Sequence, residues 1–244
     1  VFLLAWIAPI CLQPDFGSVL IYALVFVVLY WVSGRPSRHL AVLAAAGIPA
    51  AAVVLVRHPY VFRRVEAFLD PEAHALTSGW HLLQLRRTLA SGGLLGRAWE
   101  EGLWSQSYLP LGYSDSVFAS TAERLGFVGV LPIILLILGL LAYAHHHACR
   151  ARTPFESFAI FGLGAMIVSQ AFIHLSVNLG LMPPTGVTLP LVSYGGSSLM
   201  ASMLAFGILE AMAARRTSEP PSAIPCVCLP TRYSKSPSAS GSVP

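Results

Sequence analysis

The chain is short of charge. Only 11% of its 244 residues are Asp, Glu, Lys or Arg, where globular domains carry about 25%. That deficit excludes a disordered chain, almost any soluble enzyme, and a nucleic-acid binder built on a basic surface. Lysine is nearly absent: Lys235 stands alone beside fourteen arginines, and the net charge is +4. Cysteine is scarce as well. Cys11, Cys149, Cys226 and Cys228 form no paired CxxC spacing, so the sequence supports neither a zinc site nor a disulfide framework. What is abundant is apolar, 55% of residues with a mean hydropathy of +0.68. An all-α, polytopic membrane protein is the class that remains.

A helix crosses about 30 Å of hydrocarbon with roughly 20 apolar residues, fewer where flanking residues snorkel. Five stretches meet this: Ser18 to Ser33, Leu40 to Val56, Leu125 to Ala144, Phe155 to Val177, and Val187 to Ala214. Val1 to Leu12 is apolar but short, and it opens without Met or a basic flank. It lacks the charged n-region of a signal peptide and reads as the end of a sixth span, so the chain reads as the C-terminal part of a longer protein. Basic residues orient the bundle. Arg35, Arg38 and His39 follow the second span, His145 to His147, Arg150 and Arg152 the fourth, and Arg215 and Arg216 the sixth. Those three loops are expected to be cytoplasmic. The segment 57–124 then faces outward, too long for its seven arginines to govern orientation. The tail 217–244, rich in Pro and Ser, is read as disordered and cytoplasmic.

A connection of that length in a membrane protein is usually functional or structured. It holds 14 of the chain's 26 charged residues, with Trp80, Trp99, Trp104, Tyr108 and Tyr113 suited to an interface. Gly79 to Leu95 is leucine-rich up to Ser91-Gly92-Gly93, the pattern of a short interfacial or re-entrant helix. Asp115 lies just before a span, where partial desolvation would suit a general base. The alternative is a helix N-cap, which spacing alone favours. Glu123 and Arg124 follow two turns on, as interface anchors or pairing partners. Arg63 and Arg64 are interface anchors or a clamp for a diphosphate, which guanidinium forks fit.

Gln170, His174 and Asn178 stand at i, i+4 and i+8, on one face of a span. In lipid such a face must look into the bundle or a wet cavity, and interhelical hydrogen bonding is the simplest use for each residue. Met182-Pro183-Pro184-Thr185-Gly186 and Leu189-Pro190 through Ser193-Tyr194-Gly195-Gly196-Ser197-Ser198 come next. Paired proline and paired glycine there imply a broken or partly unwound start to the last span. These residues describe a bundle with an outer cavity, which serves a transporter or a lipid-processing enzyme equally well.

Five segments, in order, resemble the SEDS family of FtsW, RodA and SpoVE. They are Gln13-Pro14-Asp15-Phe16-Gly17-Ser18; Arg64 with Phe68-Leu69-Asp70-Pro71; Ser91-Gly92-Gly93 with Gly96; Leu109-Pro110 with Ser114-Asp115, Phe118-Ala119, Glu123 and Leu125-Gly126; and Asn178 through Ser198. The resemblance runs from about Leu4 to Arg216. It implies a ten-span fold of which this chain supplies the last five complete spans and one partial, with a large extracellular loop at about 57–124. It also implies a peptidoglycan glycosyltransferase of the bacterial inner membrane, working on lipid II beside a class B penicillin-binding transpeptidase. The family's essential loop aspartate matches Asp115, which turns the reading from cap to base. Lipid II carries its sugar through an α bond and the glycan is β-1,4, so inversion implies a single displacement. Arg63, Arg64 or a divalent cation such as Mg or Mn would meet the departing diphosphate. Glu123, Gln170, Asn178 and Ser193 are the other candidate substrate contacts. A lipid II flippase and a non-catalytic scaffold are the alternative roles. Ser116, Arg124, Leu85 and His174 depart from the family's usual residues at their positions.

Overall fold

The computed structural model describes residues 15–57, 59–77, 79–97, 112, 114–151 and 153–214. Among these every regular element is a helix: α1 (Phe16–Val32), α2 (Arg38–Arg57), α3 (Pro59–Leu69), α4 (Trp80–Gly92), α5 (Val117–Cys149), α6 (Pro154–Asn178) and α7 (Gly196–Ala214). Three of them, α5, α6 and α7, are long and apolar enough to cross a membrane, and α1 is a shorter apolar helix. The expected partial span, the proposed tail, Trp99, Trp104, Tyr108 and Tyr113 lie outside the described residues. Cys149 is disulfide-bonded.

Local sequence explains the helix starts. Asp15 precedes α1, and its Oδ1 accepts from the Ser18 amide at 3.2 Å, an N-cap. Thr153 caps α6 through the Glu156 amide at 3.2 Å, with Pro154 at the first helical position and Glu156 in the first turn. α6 is the central helix, packed against α1, α5 and α7. Its Ile160, Phe161 and Ala165 share a core with Ala144 and Ala148 of α5 and Leu209 of α7. Gly164 faces Ala144 so closely that a methyl there would collide with the alanine's own. Small residues let the two helices approach, as membrane helices require.

Two expected spans change shape. The last helix begins at Gly196 rather than Val187, and residues 179–195 are irregular. The prolines and glycines had implied such a break. The second change was not foreseen: α5 starts eight residues before Leu125 and is interrupted at Gly126, whose φ of 71° is left-handed. At that break the Phe127 and Val128 amides cannot reach back along the helix. They donate instead to the Gly93 and Leu94 carbonyls, at 3.1 and 3.2 Å, while the Arg97 amide donates to the Glu123 carbonyl at 3.0 Å. The segment after α4 is therefore laced into the broken helix, and every freed backbone group named here finds a partner. Methyl groups at Gly92, Gly96 or Gly126 would strike backbone atoms of the opposite strand of this joint. The helix expected within Gly79 to Leu95 is α4. One face enters the protein, with Leu85 and Leu89 on Ala119, Phe118 and Ala122 of α5.

Gly126→Ala should lower the stability of the full-length protein by at least about 1–3 kcal/mol, from left-handed strain and backbone collision. Gly139→Ala, whose added methyl meets nothing within 4 Å, should be neutral or stabilising by up to about 1 kcal/mol. Thermal unfolding of the two purified variants in detergent checks the order, and equal effects would contradict the joint.

Candidate functional site

The irregular segment 179–195 is held to α6 by the polar face that the sequence placed there. The Gln170 amide nitrogen donates to the Thr188 carbonyl at 3.0 Å and to Ser198 Oγ at 3.1 Å. His174 Nδ1 lies 2.7 Å from the Val187 carbonyl, which can only accept, so Nδ1 carries the proton. His174 Nε2 then accepts from Asn178 Nδ2 at 3.2 Å. From the other side, α1 approaches so closely that a methyl on Gly17 would meet Thr185 and Val187.

This framework positions the turn before α5. Ser193 Oγ donates to the Ser114 carbonyl at 2.8 Å and accepts from the Leu189 amide at 2.8 Å. Asn178 Nδ2 donates to the Asp115 carbonyl at 3.0 Å, and Asn178 Oδ1 accepts from the Ala119 amide at 3.3 Å. Both side chains are buried, Asn178 completely. The backbone of Ser114 and Asp115 is thus fixed from beneath. Asp115 is not the cap of α5: the N-cap position belongs to Ser116. Among the described residues the Asp115 carboxylate accepts no hydrogen bond, and it is half-buried.

Above the turn lies a cleft of about 650 Å³, walled by Tyr60, Arg63, Arg64 and Glu66 of α3, Trp80 and His81 of α4, and Pro184. Arg64 donates to the Pro184 carbonyl at 2.8 Å and lies over the Tyr60 ring at 4.4 Å while bonding its hydroxyl. These partners are neutral. Among the described residues neither Arg63 nor Arg64 pairs with a carboxylate, whereas Glu66 pairs with His74 at 3.9 Å. His81 connects cleft and turn. Burial holds its pKa below the usual 6.5, with Arg64 adding to the effect and Asp115 opposing it.

The structure places Arg63 and Arg64 in one cleft wall with His81, which sequence reasoning missed because one histidine among leucines carries no pattern, and Asp115 adjoins that cleft through Ser116, the partner of His81. It separates the other expected substrate contacts from the cleft. Asn178 and Ser193 commit their polar atoms to backbone, and Gln170 to the irregular segment. Glu123 is fully buried and accepts from Ser91 Oγ at 3.2 Å, beside the glycine joint. None of these four lines the cleft among the described residues. Glu100, Glu101, Leu109 and Pro110 lie outside the described residues.

A helical bundle carrying a cationic, carboxylate-bearing cleft over a proline-broken segment defines a multi-pass membrane protein with a built site. The chain belongs to the FtsW/RodA/SpoVE family of cell cycle proteins, whose model matches residues 1–218. It is 38% identical over 208 residues to the peptidoglycan glycosyltransferase MrdB of Escherichia coli K12, covering 84% of this chain and 56% of that protein. It is 36% identical over 202 residues to a probable peptidoglycan glycosyltransferase FtsW of Thiomicrospira cyclica, covering 81% and 52%. Among solved structures it is similar, at TM-score 0.69 and 33% identity, to a chain described under "Structural coordination of polymerization and crosslinking by a peptidoglycan synthase complex". That match covers 89% of this chain and 61% of the other. The chain spans about half the length of these curated relatives.

Asn178→Ala should cost about 1–3 kcal/mol, since it leaves the Ala119 amide and Asp115 carbonyl buried without their partner. Arg63→Ala, exposed in the cleft wall, should stay within about 0.5 kcal/mol. Melting of the two full-length variants measures this, and the reverse order would contradict the division into supports and cleft.

Proposed function

We propose that the protein to which this chain belongs is a peptidoglycan glycosyltransferase that polymerises lipid II, with Asp115 as general base. One observation carries the reading. A carboxylate that accepts no hydrogen bond among the described residues, its backbone clamped by buried Asn178 and Ser193, stands beside a cleft whose two arginines have no carboxylate partner among them. A base needs a fixed position and a free lone pair, and a diphosphate leaving group needs uncompensated positive charge. The relatives named as peptidoglycan glycosyltransferases agree with this chemistry.

In the proposed step Asp115 takes the proton from the acceptor's 4-hydroxyl as that oxygen attacks C1 of the donor sugar. The C1–O bond to the diphosphate breaks on the opposite face, inverting the centre, and the leaving diphosphate carries its electron pair toward Arg63 and Arg64. Among the described residues no group of three or more His, Cys, Asp or Glu is placed to hold a metal ion. In this reading the leaving-group charge falls to Arg63 and Arg64. The segment 57–124 would then face the outside of the bacterial inner membrane, with the C-terminus cytoplasmic. A class B penicillin-binding transpeptidase is the partner this reading assigns.

The test is polymerisation of labelled lipid II by the full-length protein with its transpeptidase. Asp115→Asn should reduce the rate by roughly 10²–10⁴-fold, the usual worth of a positioned base. Arg64→Ala should slow it while leaving fold intact. Full polymerisation by Asp115→Asn would remove the base assignment. Transbilayer movement of lipid II without polymer would favour the flippase, and neither activity would leave the scaffold.

A further inference from the structure

Ser116 sits at the N-cap of α5, where a serine hydroxyl ordinarily accepts from an amide of the first turn. It makes no such bond. The hydroxyl lies instead 3.1 Å from Nε2 of His81, and the residue is completely buried. A helix that forgoes its cap for a contact across 35 residues breaks a local rule, and such breaks concentrate at functional sites. The contact joins α4 to the residue directly after Asp115, and His81 itself lines the cleft.

We propose that His81 is a positioning residue for Asp115: its hydrogen bond to Ser116 fixes, from above, the turn that Asn178 and Ser193 fix from below. The proposal rests on the reading of Asp115 as general base. Without His81, the turn keeps its inner anchors but gains freedom on the cleft side, where the acceptor hydroxyl must meet the carboxylate. The groups around the ring are Asp115 on the turn, Arg63, Arg64 and Glu66 on α3, and His74 in the turn that follows, with His174 of α6 behind Asp115.

The ring also sets an acid limit. Burial lowers its pKa from the usual value, with Asp115 opposing and Arg64 adding to the effect, which favours the neutral imidazole. Protonation, reached only at pH values below 6.5, places a cation beside Asp115 and favours the carboxylate over its protonated form. A carboxylate so stabilised is a weaker base. Activity should therefore fall as pH drops through the histidine's own titration.

Polymerisation by the full-length protein with its transpeptidase is measured from pH 5 to 8 for wild type, His81→Gln, Ser116→Ala, Ser116→Thr and the double variant His81→Gln/Ser116→Ala, with Asp115→Asn alongside. Loss of positioning should lower kcat about tenfold in His81→Gln and in Ser116→Ala, within the reach of small misplacements, with KM little changed. The double variant should lose no more than the worse single one, since both remove one link. Ser116→Thr, which keeps the hydroxyl, should retain the wild-type rate, and His81→Gln should lose the acid fall. Additive losses, wild-type kcat in both single variants, or an unaltered acid fall in His81→Gln would overturn the proposal. If wild type polymerises and Asp115→Asn does not, those outcomes sink the His81 role alone. If wild type makes no polymer or Asp115→Asn is fully active, the general-base reading fails first.

Discussion

Backbone that leaves the helix between membrane-length helices must find its hydrogen bonds inside the protein. Residues 179–195 are such backbone, and the solution to their polar groups organises the site. Gln170 and His174 hold Thr188 and Val187 from α6. Asn178, at the end of the same face, reaches past the segment to the turn of Asp115. Ser193, from within the segment, reaches the residue before it. A stripe that satisfies an irregular strand thus also fixes the place where a carboxylate stands. Removing the irregular segment would leave the stripe as buried, unpaired polar groups; removing the stripe would leave the segment without partners.

The glycine joint meets the same constraint by a different means. Breaking α5 at Gly126 frees the amides of Phe127 and Val128, and the chain after α4 supplies carbonyls for them. Only backbones without Cβ atoms come this close: Gly96 and Gly126 face each other, and Gly92 faces the backbone of Ala122 and Glu123. The break separates a short helical stretch behind Asp115 from the long apolar helix that follows. α4 lies against that short stretch through Leu85 and Leu89. The same joint therefore seats His81 at the cleft.

The spans of α5, α6 and α7 were legible because hydropathy reads solvent directly, and the stripe because its spacing is the helical period. The unwound start of α7 was legible from Pro183, Pro184 and Pro190. The roles of the stripe's residues were not, since spacing shows which face a side chain shares and not what it meets. Asn178 and Ser193 read as substrate contacts, and what they meet in the structure is the backbone of Ser114, Asp115, Ala119 and Leu189. Glu123, two turns after Asp115, read as an interface anchor or pairing partner, yet it lies fully buried against Ser91. Gly126 carried no sign of left-handed geometry, because glycine is frequent in membrane helices that stay regular. The family resemblance supplied Asp115; composition and spacing alone favoured a cap.

Capping is the point at which local and global demands on this sequence part. Asp15 and Thr153 start their helices as isolated helices would start, with side chains on first-turn amides. At α5 two good capping residues stand in succession, Asp115 and Ser116, and neither caps. The helix start is stabilised instead by Asn178, whose Oδ1 takes the Ala119 amide from another element. That substitution releases both side chains at once: Ser116 turns to His81, and Asp115 keeps its carboxylate unbonded among the described residues. Supplying the cap from α6 is what permits a helix N-terminus to present a carboxylate rather than consume it.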